Sequence, residues 1–239
     1  MLQKPGPDSN SNTPDPSGGV KASLSMQRSR RLTLPAIRTA QSNGFYQSLS
    51  VDPFDDVAFV AKYESAKPDV TFALIQSAAR RLGDAWVDDT ANFSDVTVKT
   101  SRLQTLLASQ RRKLPPLATG PAIAVVVQPW DDHVLGAALL EARLHHAGFA
   151  TELILSYDNE PLAQFDAIFV SATNTERLEE LAHQVAMLRE HAGANTPIIV
   201  GGRAATKMEK IDGADLISSS LIDALEHCAK QTRSTRFLI

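Results

Sequence analysis

The chain has 239 residues, a formal charge of −3 and a single cysteine, Cys228. That length fits one large domain or two small ones. The charge excludes a global basic field for nucleic acid, and one cysteine excludes an internal disulfide framework and fits a reducing cytoplasm. No apolar run approaches the roughly 20 residues that span a bilayer, and the N-terminus lacks a signal-peptide core, so no membrane partner is expected.

Residues 1–51 read as a disordered basic leader. Pro5, Pro7, Pro14 and Pro16 lie among Ser, Asn, Asp and Gly, which offer little burial against the entropy of ordering. Lys21, Arg28, Arg30, Arg31 and Arg38 occur with no acidic residue between Asp15 and Asp52. Such a leader is either a solvated tail or an arm that orders on a partner or makes weak, indirect contact with DNA.

Residues 52–113 read as a small helical bundle. Val57–Tyr63 is short and apolar. Asp69–Ala85 carries Val70, Phe72, Leu74, Ile75, Ala78 and Leu82 at mostly helical spacing, with Trp86 just beyond. A third helix starts after Asn92 or Ser94, both of which suit a cap. About 60 residues would be marginal alone, so the bundle is expected to rest on a larger body. Residues 114–121, rich in Pro and Gly, form a linker.

Residues 122–239 change pattern. Apolar runs at 122–127, 151–155, 167–170, 197–200 and 215–217 alternate with helical stretches at 134–147, 174–191 and 221–231. The alternation predicts an α/β fold: a flavodoxin-like (Rossmann-like), doubly wound, five-stranded parallel sheet. Ligands of such sheets bind beyond the carboxyl ends of the strands.

Those strand ends hold the candidate residues. After the first run stands D-x-H-x-x-G: Asp131, His133 and Gly136. After the third come Ser171 and Thr173, after the fourth Gly201 and Gly202, and after the last Ser218, Ser219 and Ser220. A neutral imidazole ligates cobalt or iron well, and its second nitrogen needs an acceptor, for which Asp131 is placed. Gly136 removes a side chain where a helix start would meet a ligand. Gly201 and Gly202 permit close approach of a phosphate or ribose, and the hydroxyls of Ser171 and Thr173 can donate to a heteroaromatic nitrogen. Each signal has a bland reading, since hydroxyls and glycines are common at such edges. Their order along one sheet edge favours a ligand site.

Other residues carry less. His145 and His146 end a helix and read as solvent-facing. Trp130 either flanks a ligand or plugs the sheet edge. Cys228 reads as an ordinary helix residue. No Ser-His-Asp, Cys-His, paired-carboxylate, zinc or Walker arrangement is present, so no enzyme is expected.

These residues resemble the cobalamin-binding domain shared by methionine synthase, corrinoid methyl carriers and CarH-type light sensors. The resemblance runs from about Phe72 to Ile239. It implies that His133 is the lower axial ligand to cobalt, with Asp131 behind it. It also implies that Gly136, Ser171, Gly201 and Gly202 line a tunnel for the displaced dimethylbenzimidazole tail. The family often has S-x-L after the third strand; this chain has Ser171-Ala172-Thr173. Leu82-Gly83-Asp84-Ala85-Trp86 is similar to the L-G-x-x-W of the helical cap over the upper corrin face. The Glu-His pair that follows this tryptophan in CarH-type sensors is replaced by Val96 and Thr97, and residues 1–132 contain no histidine. The stretch Ser94–Gln104, the length and the basic leader are more similar to the AerR/PpaA antirepressors. That likeness implies hydroxo-, aquo- or adenosylcobalamin as cofactor and a PpsR/CrtJ-type repressor of photosynthesis genes as partner, with light, redox state or cobalamin as signal. A haem-binding sensor of the same fold, as in AppA, and a corrinoid methyl carrier are the alternatives.

Overall fold

The apolar runs of residues 122–217 assemble into one parallel sheet because both of its faces are covered. The computed structural model describes residue 28, residues 30–115, 120–155 and 162–232, and residue 237. The strands are β1 (Ala122–Val127), β2 (Ala150–Ile154), β3 (Ala167–Ser171), β4 (Ile198–Gly201) and β5 (Leu216–Ile217). Their order is β2-β1-β3-β4-β5, and all pairs are parallel. This is the flavodoxin-like order expected from the sequence. The chain leaves β1 for one side and returns to β3 on the other, so the topological switch point lies between β1 and β3.

Alternation sorts the strand residues onto two cores. Ala124, Val126, Ile168, Val170, Ile198 and Val200 pack against Leu181, Val185 and Leu188 of helix α6 (Leu178–His191). Ile123, Val125, Val127, Phe169 and Ile199 pack against α5 (Val134–His146) and α7 (Leu221–Gln231), where Cys228 is buried among them.

The bundle consists of α1 (Thr39–Ser48), α2 (Asp56–Glu64), α3 (Pro68–Val87) and α4 (Phe93–Lys113). Pro68 occupies the first turn of α3, where its missing N–H costs nothing. Of the two cap candidates for α4 it is Asn92 whose side chain accepts from Asp95 N, at 2.8 Å. Arg111, Arg112 and Lys113 close that helix, matching its negative end. Phe72, Ile75, Leu103 and Leu106 are fully buried, each stabilising by about 1.5–3 kcal/mol. Their core also takes in Leu135, Leu139 and Ala142 of α5. Helix α5 therefore belongs to the sheet and to the bundle at once, and the bundle rests on it.

The expected leader, residues 1–51, is corrected from Arg30 onward. Residues 1–27 and 29, including Lys21, lie outside the described residues. Residues 39–48 form α1, and Leu32, Phe45 and Leu49 are buried. Phe45 meets the edge of Tyr63 at 4.8 Å and stacks near Phe59 at 6.0 Å. Leu32 enters the sheet core on the α5 side. Two of the basic residues act within the molecule: Arg28 lies 5.1 Å over Phe149, and Arg31 donates to His146 O at 3.0 Å. A few large apolar anchors outweigh the polar composition. Of the linker, residues 116–119 are outside the description. Among the described residues no helix is long and apolar enough to cross a membrane.

Candidate cofactor site

β1 ends at Val127, and a turn closed by Asp131 N donating to Gln128 O at 2.9 Å carries the chain over the sheet edge. The turn points the Asp131 carboxylate inward, leaving its side chain 1% exposed. Three donors converge on it. His133 N and His133 Nδ1 donate to Oδ1 at 3.0 and 2.7 Å, and Thr173 N donates to Oδ2 at 3.0 Å. One carboxylate thus ties the loop after β1 to the loop after β3, across the switch point.

His133 is the N-cap residue of α5, and its side chain is 60% exposed. A carboxylate can only accept, so the Nδ1 proton is fixed by Asp131 and Nε2 is left facing outward. This is how a protein presents an imidazole to a metal: tautomer and orientation set from behind, basicity raised by the carboxylate. The His133 pKa is raised, chiefly by the hydrogen bond to Asp131, against the effect of burial. Burial would raise the Asp131 carboxyl, but the bonds from the His133 ring, Thr173 N and His133 N, with the imidazolium charge, hold it below its ordinary value.

Beside this pair the sheet edge is lined mostly by small residues. Val127, Ser171 and Gly201 are register partners across β1, β3 and β4. By alternation Ser171 shares the face of Phe169, the one covered by α5 and α7. A Cβ on exposed Gly136 would meet no atom within 4 Å, whereas one on Gly201 would lie 3.2 Å from Ser218 O. Thr173 contributes its backbone amide to Asp131 rather than its hydroxyl. Gly202 has a different task. Its φ is +96°, and a Cβ there would fall 2.3 Å from Ala172 O, so it passes the end of β3 at backbone distance. Ser218 and Ser220 hydroxyls are used in the turn into α7.

Trp86 lies in the last turn of α3 and is 48% exposed, and Val87 and Phe93 are exposed as well. α3 runs antiparallel to α5, with Asp69 Oδ1 3.0 Å from His146 Nε2 and Arg143 Nη1 donating to Gln76 Oε1 at 3.2 Å. At about 1.5 Å per residue, Asp69 to Trp86 spans about 26 Å and His146 to His133 about 20 Å. α3 therefore runs toward the His133 end of α5, with Trp86 in its last turn. Trp130 plugs the sheet edge: it packs on the α6-side core with Arg177 5.6 Å over its ring. A hollow of about 520 Å³ between residues 34–37 and α3 contains none of these site residues.

Sequence reading missed Glu141, Arg111 and His145. His145, expected in solvent, is 6% exposed, and Glu141 is 8% exposed. Only the helical spacing of 141 and 145 hinted at a shared face, and their partner Arg111 is 30 residues away. The Cys228 thiol is pushed up to about 12 by burial, with Asp215 adding to the effect, which leaves it unreactive.

The donor set is one imidazole. Among the described residues no group of three or more His, Cys, Asp or Glu is placed to hold a metal ion. A bare ion of the zinc type needs three or four protein ligands. A single presented imidazole instead fits a metal whose other positions are filled by a macrocycle. The largely exposed imidazole and the space at Gly136 fit such a group.

No protein-family model matches the sequence. An uncharacterized 20.5 kDa protein of the bchF-crtJ intergenic region of Rhodobacter capsulatus is 27% identical over 160 residues, covering 62% of this chain and 83% of that protein. The monomethylamine corrinoid protein of Methanosarcina barkeri superposes with a TM-score of 0.57 at 12% identity, over 80% of this chain and 95% of its own. A cobalamin-binding protein from Desulfitobacterium hafniense DCB-2 aligns over 84% of this chain and 100% of its own, with a TM-score of 0.36 at 17% identity. By fold, a helical bundle leading into a flavodoxin-like sheet, the chain shares the architecture of the Methanosarcina corrinoid protein.

Proposed function

We propose that residues 122–239 bind cobalamin with His133 as lower axial ligand, and that the chain is a non-enzymatic transcriptional regulator of the AerR/PpaA type. The observation that carries the cofactor reading is the outward Nε2 of His133, held from behind by a buried carboxylate that is itself tied to Thr173. Gly136, Ser171 and Gly201 leave room for the tail of the cofactor, Thr173 and Gly202 shape its edge, and Trp86 faces the corrin from the bundle. Bound cobalamin would supply a cobalt whose upper ligand can change with light or redox state. The protein's part is to fix one face of it and to respond at the other. A ligand shifts that response only by its differential affinity for two conformational states of the protein.

The regulatory reading rests on the relative from the bchF-crtJ region. It makes a PpsR/CrtJ-type repressor the partner, contacted through protein, in the cytoplasm, with any DNA contact by the basic leader weak and indirect. A corrinoid methyl carrier is the second reading, favoured by the superposition on the monomethylamine corrinoid protein; a haem sensor is the third. Purified protein is mixed with hydroxocobalamin, adenosylcobalamin or haem, in darkness and in light, and desalted. Retained corrinoid with co-elution of a PpsR/CrtJ-type repressor is the expected outcome. Methyl transfer from a methylated donor without repressor binding would support the carrier, and retention of haem alone the third reading.

A further inference from the structure

Helix α5 begins at the candidate ligand His133, and its far half carries a buried polar cluster that the cofactor does not use. Glu141 receives Arg111 of α4 in a fork, Nε to Oε1 and Oε2 at 3.1 Å each and Nη2 to Oε1 at 2.9 Å. Thr151 of β2 donates its hydroxyl to the same Oε1 at 2.6 Å. Arg111 Nη2 also lies 3.2 Å from His145 Nδ1. A guanidinium can only donate, so Nδ1 accepts and the imidazole proton is on Nε2. That proton is given to Pro115 O, 2.6 Å away, at the start of the connector between bundle and sheet. A buried carboxylate and a tautomer-fixed imidazole on α5 are thus both satisfied by one arginine of the bundle, and Pro115 is pinned to the same spot.

Two further ties lie on the same helix. Arg143 reaches Gln76 of α3 and Leu32 O, and His146 pairs with Asp69 of α3. Leu135, Leu139 and Ala142 fill the seam between them. A bundle hinged over a stationary site would have to break all of these, leaving a buried Glu141 without its cation.

The geometry points to a conformational device: the Arg111–Glu141–His145 joint locks the bundle to α5, so the two move as one body. A change on the bundle side is then carried by α5 to His133 at its start and by Thr151 to β2, and not as a lid opening over a fixed histidine. The joint stands on these contacts alone; only its link to a bound cofactor rests on the function proposed above.

The test is native-state hydrogen exchange of the full chain in graded low urea, comparing wild type with the double variant R111M/E141L. That variant replaces the ion pair by apolar groups of similar size, which buried pairs tolerate. Locked elements open together, so in wild type the slowest amides of α4 and α5 are expected to converge on one isotherm. In the double variant the two isotherms are expected to separate. Separate isotherms in wild type, or unchanged convergence in the double variant, would overturn the proposal. A second arm adds hydroxocobalamin. Added protection spanning α3, α4 and α5 in wild type, lost from α3 and α4 in R111M/E141L, is expected; protection confined to α5 in wild type would overturn the transmission. If the corrinoid is not retained at all, the cofactor reading fails while the urea arm still decides the joint.

Discussion

Replacing Asp131 by Asn separates the chemistry of its two oxygens without changing its shape. Three N–H donors point at the wild-type carboxylate, two at Oδ1 and one at Oδ2. An amide has one acceptor. With its oxygen toward His133, its NH₂ meets Thr173 N–H, and a half-buried backbone donor loses its partner. With its oxygen toward Thr173, the NH₂ meets His133 N–H, and the ring proton must move to Nε2, closing the nitrogen that faces a metal. Either way at least one part-buried backbone N–H loses its partner, at about 1 kcal/mol, and charge-assisted bonds worth about 1.5–3 kcal/mol are weakened. A net loss of about 2–4 kcal/mol is expected, or about 1 M in urea midpoint at a slope of 2–3 kcal/mol per M. Corrinoid affinity is expected to fall about 10–100-fold.

The pH profile gives the sign. The Asp131 pKa is lowered from 3.8, so its contribution to stability is present above that value and lost as pH falls through its folded pKa. The His133 pKa is raised from 6.5, so its contribution is complete below that value and lost as pH rises through its folded pKa. In the free protein the gap between wild type and Asp131→Asn should therefore be widest between about pH 4 and 6.5. It narrows on the alkaline side without vanishing, because the backbone bonds remain. Equal urea midpoints across that range would refute the reasoning.

Gly136→Leu should leave the free protein as stable or up to about 1 kcal/mol more so, by helix propensity, since a Cβ there meets nothing within 4 Å. Hydroxocobalamin titration should nevertheless lose affinity; unchanged affinity would remove Gly136 from the site. Gly202→Ala should cost at least about 2 kcal/mol in thermal or urea unfolding, from left-handed backbone and the clash with Ala172 O; a neutral result would contradict the turn described. Phe45→Ala should cost about 3–5 kcal/mol, as for a buried core aromatic. A loss under 1 kcal/mol, followed by circular dichroism, would return residues 39–48 to a solvated leader.

Much of the fold was legible because its signals are local. The five apolar runs and the intervening helical stretches matched the observed strands and α5–α7 within a few residues, and Asn92 announced its helix by cap chemistry. α1 was not legible. Its sequence, TAQSNGFYQS, buries only Phe45, so no periodic stripe exists to be read, and its place depends on Phe59 and Tyr63 arriving from α2. The Asp131–His133 contact was readable because the partners are two residues apart. The tie from Asp131 to Thr173 N was not, since a backbone amide is carried by every residue type except proline. The same holds for Glu141: its neighbours on α5 were visible, but Arg111 and Thr151 are brought to it only by the packing of α4 and β2.

The most direct measurement is the visible spectrum of hydroxocobalamin retained by wild type and by His133→Ala, each confirmed folded by circular dichroism. The His133 side chain is 60% exposed, so its loss should leave the fold intact. Wild type is expected to show imidazole-ligated cobalt. His133→Ala is expected to lose that spectrum, to bind at least about tenfold more weakly, and to recover the spectrum on addition of free imidazole. A His133→Ala protein that keeps the wild-type spectrum and affinity would contradict the assignment of His133 as the axial ligand.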